Sequence, residues 1–270
     1  MTMRFSNLHQ HSVFSDGKSP MENVVQAAIR KNFVSLGFSD HSYTPCDESY
    51  CMLPAQYPAY FAEIKRLRNK YAGQIELLTG LELDYFSKDD RNRYDYVIGS
   101  VHYLIFCDRV YALDHTREAQ AACIQLECGG NVYDFCKRYY DLVVRHVTRN
   151  KPDIIGHFDV ISKFGMIYEE DPVYQQIAAE ALDEAMKTTP LVEMNTGAIS
   201  RGWRTKPYPH DFLLKRILHN GGEIILSSDS HHADTIDCHF AESLGILKNA
   251  GYDHVVQLRA DGFHRVPLDE

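Results

Sequence analysis

Histidines and acidic residues recur along this chain in short clusters, and each cluster stands directly after a short apolar run. Imidazole and carboxylate groups are donors that suit Zn, Mn and Fe(II), whereas clustered thiolates are typical of closed structural zinc sites. A metal site built from such donors favours open, hydrolytic chemistry. The clusters are His9-Gln10-His11, Ser39-Asp40-His41, Gly80-Leu81-Glu82, Gly99-Ser100-Val101-His102, Gly156-His157-Phe158-Asp159 and Ser228-Asp229-Ser230-His231.

The signal lies in the whole set of clusters and not in any one histidine. A lone histidine at the end of a strand is more often a hydrogen-bonded polar residue than a metal ligand. Alternate residues of a strand face the same side, so His9 and His11 can coordinate one ion, and so can Asp229 and His231. Because an α/β barrel builds its active site at the carboxyl ends of its strands, we expect the clusters to meet there and to bind metal together.

The elements that must position these residues are short apolar runs alternating with longer segments of helical period. This pattern is typical of βα units wrapped into a mostly parallel sheet. The length of 270 residues suits a single α/β barrel domain over 1–270. The predicted strands are Met3 to Leu8, Val34 to Phe38, Ile75 to Leu81, Tyr96 to Val101, Asp153 to Gly156, Leu191 to Met194 and Glu223 to Leu226.

Prolines and glycines mark the ends of the predicted helices. Pro20 suits the first turn of a helix that runs to about Lys31, with Ser19 as its cap. Gly73 and the pair Gly221-Gly222 stop two of the others. Those others run from about Pro58 to Tyr71, Asn131 to Arg149, Val173 to Lys187 and Phe212 to Asn220.

Two irregular stretches, Ser42 to Gln56 and Ile199 to Pro209, are predicted to shape a pocket above the scaffold. Glu193 and Asn195 lie near the end of the sixth predicted strand, where they could support a metal shell or satisfy a buried strand end. The other histidines are interpreted as surface or packing residues, mostly on helices, loops or the terminal tail. They are His115, His146, His210, His219, His232, His239, His254 and His264.

The composition restricts the partners of the chain. Its formal net charge is −9, so a nucleic acid would meet repulsion in place of the basic field that its binders carry. The first residues lack a signal-peptide pattern and no apolar run reaches the length of a membrane span, so we expect a cytoplasmic protein. The seven cysteines form no CxxC pair and are expected to be reduced. Pairing or metal binding by Cys46 and Cys51 is the less favoured alternative.

The clusters carry a resemblance to a known family. The sequence resembles the polymerase-and-histidinol-phosphatase (PHP) superfamily, and specifically its histidinol-phosphate phosphatases, from His9 to His231. The resemblance implies a distorted (β/α)7 TIM-like barrel that holds three divalent ions, Zn, Mn or Fe. Its most specific motifs are His9-Gln10-His11-Ser12-Val13-Phe14-Ser15-Asp16-Gly17, Phe38-Ser39-Asp40-His41, Gly99-Ser100-Val101-His102, Gly156-His157-Phe158-Asp159 and Ser228-Asp229-Ser230-His231.

The resemblance also implies a ligand set for each ion. Some members of the superfamily have a histidine in the region of Asp16, so this residue is either a ligand of the third ion or a proton donor. By position, the first ion takes His9, His11, Glu82 and Asp229, the second takes Glu82 as a bridge with His102 and His157, and the third takes His41 and His231.

The implied reaction is the hydrolysis of L-histidinol phosphate to L-histidinol and phosphate, a step of histidine biosynthesis. Arg201 is placed to bind the phosphoryl group as a fork, and Lys163 is a second candidate with a point charge. Asp16, Asp40 and His231 are alternative general acids. Asp47 and Glu48 are acidic loop residues that could meet the ammonium and imidazole of the substrate, although solvated loop carboxylates are commoner.

Two alternatives to this function stay open. One is a PHP-type nuclease or another phosphoesterase that uses the same metals, which the acidic charge and the lack of polymerase modules disfavour. The other is a metal-binding or regulatory module without catalysis, which would not need Arg201 beside open coordination positions. A small phosphomonoester remains the expected partner.

Overall fold

Parallel strands separated by helices and long loops form the scaffold of the computed structural model, which describes residues 3–268. The strands are Ser6–Asn7 (β1), Ser35–Phe38 (β2), Glu76–Asp84 (β3), Tyr96–Ser100 (β4), Tyr103–Phe106 (β5), Arg109–Ala112 (β6), Ile154–Ile155 (β7), Leu191–Asn195 (β8), Glu223–Ser227 (β9), His254–Arg259 (β10) and Gly262–Pro267 (β11). Within the described residues the main sheet has nine strands in the order β1-β2-β3-β4-β7-β8-β9-β10-β11, and β5 pairs with β6 in a separate hairpin.

Strands β1 and β9 of this sheet meet at their carboxyl ends and close a distorted barrel. Gln10, just after β1, forms a parallel bridge with Ser230, just after β9. The amide of His11 donates to Ser230 O at 2.9 Å, and the side chain of Asn7 donates to Ser228 Oγ at 2.8 Å. The contacts lie at the carboxyl ends of both strands, so the rim that carries the histidine clusters is continuous. The predicted (β/α)7 barrel class is confirmed.

Strand β10 was not predicted, and it completes the barrel wall between β9 and the β1–β2 side at the end away from the rim. It runs parallel to β9 through the pairing of Val256 with Ile225. On its other side, Gln257 donates to Arg4 O at 2.8 Å, and Leu258 O accepts from Ser35 Oγ at 2.7 Å. The last strands therefore bridge β9 to the β1–β2 side at the end away from the rim.

The barrel interior is apolar below the rim and polar at the rim. Leu78 and Glu82 share one face of β3, and Leu191 and Glu193 share one face of β8, so the inner apolar cluster lies directly beneath the polar groups. Tyr96 donates to Leu8 O across this interior. A side chain at Gly37 or Gly80 would overlap the Tyr96 ring. The inner cluster contains Leu8, Leu78, Tyr96, Ile98, Ile154, Leu191, Ile225, Val256 and Leu258.

Helices cover the outside of the sheet, and the second, larger apolar cluster lies between the two layers. Asn131 caps the longest of them by accepting from Tyr133 N and Asp134 N. The prediction that Ser19 caps the helix Met21–Arg30 is wrong. Pro20 takes the cap position, and the Ser19 hydroxyl accepts from Ala233 N at 3.0 Å. The helices are Met21–Arg30 (α1), Tyr57–Lys70 (α2), Arg117–Glu127 (α3), Val132–Asn150 (α4), Pro172–Met186 (α5), Gly197–Ser200 (α6), Asp211–His219 (α7) and Phe240–Ala250 (α8).

Several other expectations change in detail. Strand β3 continues to Asp84, so Glu82 lies inside the strand and not after it. His254 and His264 belong to strands β10 and β11, and not to an irregular tail. All seven cysteines are free thiols, including Cys46 and Cys51. The prediction of one domain over 1–270 stays a prediction, and residues 1–2 and 269–270 lie outside the described range.

In residues 3–268, no helix combines the length and the apolar character that crossing a lipid bilayer requires.

His146 on α4 is a fully buried packing residue held in its neutral form. Its Nε2–H donates to Leu83 O at 2.9 Å, and its Nδ1 accepts from the amide of Asn150 at 2.7 Å. Burial lowers the pKa of His146 to about 4. The unfolded chain therefore takes up this proton at a higher pH than the folded protein does.

This difference predicts a specific loss of stability in acid. As the pH falls from about 7.5 to about 5, His146 should lower the free energy of unfolding by about 2 kcal/mol. The variant His146→Gln cannot take up the proton, so its free energy of unfolding should fall less over the same interval. Urea denaturation in the presence of a chelator measures this, and equal pH dependence in parent and variant would contradict it.

Candidate metal centre

The rim of the barrel brings the predicted ligands together. Each group below offers one donor atom per residue, and the donor atoms lie within 4.8 Å of one another. His9 and His11 come from the chain after β1, Glu82 from β3, and Asp229 and His231 from the chain after β9. The groups are His9, His11 and Glu82; His9, His157 and Asp229; His41, Glu82 and His102; and His11, Asp16, His41 and His231.

Glu82 lies at the middle of this arrangement. Its side chain is 1% exposed, and its two oxygens face different histidines. Oε1 lies 2.9 Å from His157 Nε2 and 3.2 Å from His102 Nε2. The distances from Oε2 to the other side are 2.8 Å to His41 Nδ1, 3.3 Å to His9 Nε2 and 3.6 Å to His11 Nε2. One carboxylate is therefore placed to bridge two cation positions.

Buried donor atoms without hydrogen-bond partners show that these residues fit a metal cluster. Among the described residues, the atoms left without a partner include His9 Nε2, both ring nitrogens of His11 and Asp16 Oδ1. A buried polar atom without a partner costs about 1–3 kcal/mol. Cations at the centre of the cluster would supply the missing partners, and the donor types are those that divalent transition metals prefer.

The charges of the cluster keep its central groups ready to act as ligands. Burial alone would raise the pKa of Glu82, but His9, His41 and His102 outweigh it and hold that pKa well below its ordinary value. Burial, reinforced by His231 and His41, lowers the pKa of His11 to about 3. Glu82 is therefore ionised and His11 is neutral over the physiological pH range, which are the states that bind a cation.

Glu193 hydrogen-bonds His9 and also satisfies a buried backbone amide, so its contacts fit both interpretations of this carboxylate. It is fully buried in β8, and its Oε1 accepts from His9 Nδ1 at 2.7 Å. Its Oε2 accepts from His157 N and from Asn195 Nδ2, both at 2.9 Å. This hydrogen bond orients the His9 ring so that Nε2 faces Glu82 Oε2 at 3.3 Å.

Asp84 contacts the ring of His102 as Glu193 contacts the ring of His9. Sequence reasoning missed Asp84. Asp84 Oδ2 lies 3.3 Å from His102 Nδ1 and accepts from His102 N at 3.1 Å. Asp84 stands two positions after Glu82 in β3, so both side chains share one face of the strand. That alternation is the signal that could have found it.

Arg201 reaches the cluster from the turn after the short helix α6. Its guanidinium donates to Asp229 Oδ2 and to Asp229 O, both at 3.0 Å, and Nη1 lies 3.1 Å from His231 Nδ1. Gly197 makes room for this contact, since a Cβ there would lie 2.8 Å from Asp229 Oδ2 and 2.9 Å from Arg201 Nη2. The guanidinium of Arg201, the predicted phosphate contact, therefore lies at the rim and pairs with the predicted metal ligand Asp229.

The three candidate general acids have different surroundings. Asp16 and His231 lie at the more open edge of the cluster, with His231 Nε2 and Asp16 Oδ2 3.0 Å apart. Asp40 is fully buried and accepts from Ser12 N, Ser12 Oγ and Ser15 Oγ. It does not line the cavity at the rim. The geometry therefore favours Asp16 and His231, and Asp40 instead holds the loop that carries Asp16.

A cavity of about 270 Å³ opens above the cluster, and both predicted loops contribute to its wall. Asp47 and Tyr50 come from the first loop, and Trp203 and Tyr208 from the second. Lys163 is 9% exposed and donates to Asp114 O. The predicted loops include Tyr50, Trp203 and Tyr208 without singling them out. Sequence reasoning missed Tyr103 and Asp114, because no motif marks a residue that reaches the cavity from the β5–β6 hairpin.

Comparison with known proteins identifies the family. The model of the PHP domain matches residues 7–197. This chain belongs to the PHP domain family. The match covers most of the barrel and includes every predicted ligand up to His157, while Asp229 and His231 follow it.

Relatives of this PHP chain carry one functional name. "Probable histidinol-phosphatase" from Deinococcus radiodurans is 31% identical over 239 residues, which cover 84% of this chain and 85% of the relative. "Probable histidinol-phosphatase" from Schizosaccharomyces pombe is 28% identical over 270 residues, 87% of this chain and 84% of the relative.

A solved structure shares the fold of this PHP chain. It is histidinol phosphate phosphatase from Lactococcus lactis in complex with Zn, L-histidinol and phosphate. The TM-score is 0.72 at 21% identity, with 97% of this chain and 99% of the other covered.

The central position of Glu82 predicts a graded loss of metal. In Glu82→Gln the bridging charge is removed, so most of the bound metal should be lost. Glu193→Gln keeps an acceptor for His9 Nδ1 but loses its charge, so metal affinity should fall by about 10- to 100-fold. Elemental analysis after dialysis against metal buffers of defined free concentration measures both.

The matched control is Glu180→Gln, an exposed position on α5 where the same change should leave metal content as in the parent. Full metal content in Glu82→Gln would show that the cluster is not assembled around this carboxylate.

Proposed function

We propose that this PHP protein hydrolyses L-histidinol phosphate to L-histidinol and phosphate with the help of divalent cations bound at the barrel rim. The observation that carries the proposal is the convergence of buried histidines on Glu82 beneath a small cavity that also holds Arg201. The functional name of the relatives, which match this chain over most of both lengths, supports the choice of substrate.

The donor groups support three cation positions. Zn, Mn and Fe all accept these donors, and the relative from Lactococcus lactis was solved with Zn. When bound, such cations neutralise the charge of a phosphate dianion and lower the pKa of water enough to supply a nucleophile near neutral pH. In our proposal the first position is held by His9, His11, Glu82 and Asp229, the second by Glu82, His102 and His157, and the third by Asp16 and His41. His231, the other expected ligand of the third ion, is assigned to proton transfer instead.

Arg201 and Lys163 are the proposed phosphate contacts. Arg201 presents a planar fork that can donate two hydrogen bonds to phosphoryl oxygens, although it now donates to Asp229. Lys163 supplies a point charge and is paired with Asp114 at 3.6 Å. A phosphate dianion would compete with Asp229 for Arg201 and with Asp114 for Lys163, because it carries more charge than either carboxylate.

The pair of Asp16 and His231 is the proposed route for the proton that the leaving oxygen needs. Burial alone would raise the pKa of Asp16, but His41, His11 and His231 outweigh it and hold that pKa below its ordinary value. Asp16 is therefore ionised, and its Oδ2 lies 3.0 Å from His231 Nε2, within hydrogen-bond distance. His231 then donates the proton, and Asp16 orients the ring.

A substrate panel with and without a chelator tests the function. Phosphate release from histidinol phosphate should exceed release from other phosphomonoesters, should disappear after chelation, and should return when Zn, Mn or Fe is restored. Single-stranded DNA should stay intact, because the cavity is small and the chain carries net negative charge. Turnover that survives complete metal removal, or DNA cleavage without phosphatase activity, would refute the proposal.

The role of His231 predicts a dependence on the leaving group. His231→Gln should lower kcat by about 100-fold for an alkyl phosphate such as histidinol phosphate, whose leaving oxygen needs a proton. The loss should be much smaller for 4-nitrophenyl phosphate, whose leaving group departs as a stable anion. Equal losses for both esters together with a loss of metal would show that His231 serves only as a ligand.

A further inference from the structure

The cavity above the metal cluster contains acidic groups that a phosphate alone does not explain. Asp47 and Asp114 both line it, beside the proposed phosphate contacts Arg201 and Lys163. A carboxylate near a bound phosphate dianion is repulsive unless a positive charge lies between them. The substrate itself is a source of such a charge.

Asp47 and Asp114 differ in how many hydrogen bonds their carboxylate oxygens already accept. Asp47 Oδ1 accepts from Ser49 N and Ser49 Oγ, and Asp47 Oδ2 accepts from Tyr103 OH at 3.0 Å. In the described part of the chain the Asp114 carboxylate accepts no hydrogen bond. It forms a 3.6 Å ion pair with Lys163 and is attracted at longer range by His102, His157 and Arg201. Lys163 directs its hydrogen bond to the backbone oxygen of Asp114 instead. Asp114 therefore keeps acceptor positions for a ligand.

The backbone holds Asp114 firmly at the cavity wall. It is the second residue after β6, and the amide of the preceding residue, Leu113, donates to His102 O at 2.8 Å. The side chain of Asp114 is 27% exposed, so it is within reach of a ligand and still shielded from bulk water. In such a setting an ion pair is stronger than on the open surface.

A simpler explanation is that Asp114 only pairs with Lys163. This ion pair is long, however, so it holds the carboxylate weakly. A distance of 3.6 Å is beyond a normal charge-assisted hydrogen bond. When phosphate attracts Lys163 and Arg201, the carboxylate of Asp114 loses part of the positive charge that surrounds it. A cationic group on the substrate then restores the balance of charge.

We propose that Asp114 binds the ammonium group of the leaving alcohol and thereby selects phosphomonoesters of amino alcohols over uncharged esters. This inference rests on the proposed function, because it concerns the same cavity. Asp114, which lies outside the metal cluster, would thus recognise the alcohol part of the substrate.

Paired substrates isolate the contribution of the ammonium group. Histidinol phosphate is compared with the phosphate ester of 3-(imidazol-4-yl)propanol, which has the same ring but no amine. The phosphate ester of 2-aminopropanol is compared with propyl phosphate, which lacks both amine and ring. Asp114→Asn should lower kcat/KM for both amine esters by about 10- to 100-fold and change the amine-free esters by less than about threefold.

The matched control is Asp108→Asn, which removes the same charge from the exposed turn of the same hairpin, outside the cavity. It should keep the parent's preference for amine esters. Loss of the preference in Asp108→Asn as well would mean that net charge and not Asp114 sets it, and would overturn the inference.

Binding can be measured without turnover because Trp203 is the sole tryptophan of the chain. It lines the same cavity and is 52% exposed, so its fluorescence should respond to a bound ligand. L-histidinol should bind Asp114→Asn about 10- to 100-fold more weakly than the parent, whereas inorganic phosphate should bind both about equally. Equal affinity of parent and variant for L-histidinol would overturn the inference.

The two proposals fail in different ways. Absence of histidinol phosphate hydrolysis by the parent refutes the proposed function, while the 2-aminopropanol pair still tests Asp114. Hydrolysis that is intact but shows no loss of amine preference in Asp114→Asn refutes only the role of Asp114.

Discussion

The buried carboxylate of Glu82 is the constraint on which the rest of this structure depends. It lies in the interior of a barrel, faces five histidines, and is almost inaccessible to water. A lone buried charge is strongly unfavourable, and it is tolerated only when opposite charges and hydrogen bonds surround it. The convergence of strand ends satisfies this requirement, because one rim brings together donors that are more than 200 positions apart in the sequence.

A second layer of buried groups keeps this arrangement rigid. Glu193 fixes the ring of His9, Asp84 contacts His102, and Asp40 holds the loop that carries Asp16. The apolar cluster beneath the rim supports these groups from below, with Tyr96 crossing the interior where Gly37 and Gly80 leave room. Packing and hydrogen bonding therefore fix the positions of the donor atoms.

The cavity above the rim has a different origin, since loops and a hairpin build it. Asp114 follows the β5–β6 hairpin, Tyr50 belongs to the loop after β2, and Trp203 to the loop after α6. These segments combine cationic, acidic and aromatic side chains above one metal centre. In our proposal the rim binds the phosphoryl group common to all phosphomonoesters, and the loops contact the part of the substrate that differs between them.

The sequence by itself determined the barrel class and the residues that meet at the rim, because strand periodicity and the shared position of each cluster are local features. His9, His11 and Asp229 follow from that pattern, as does the resemblance to the PHP family. Only the tertiary structure decided the partners of those residues. Asp84, Asp114 and β10 act through contacts between distant segments, and Asp40 turned inward to Ser12 and Ser15. Spacing along a chain shows which face a side chain occupies, but which atoms it meets depends on how separate elements pack.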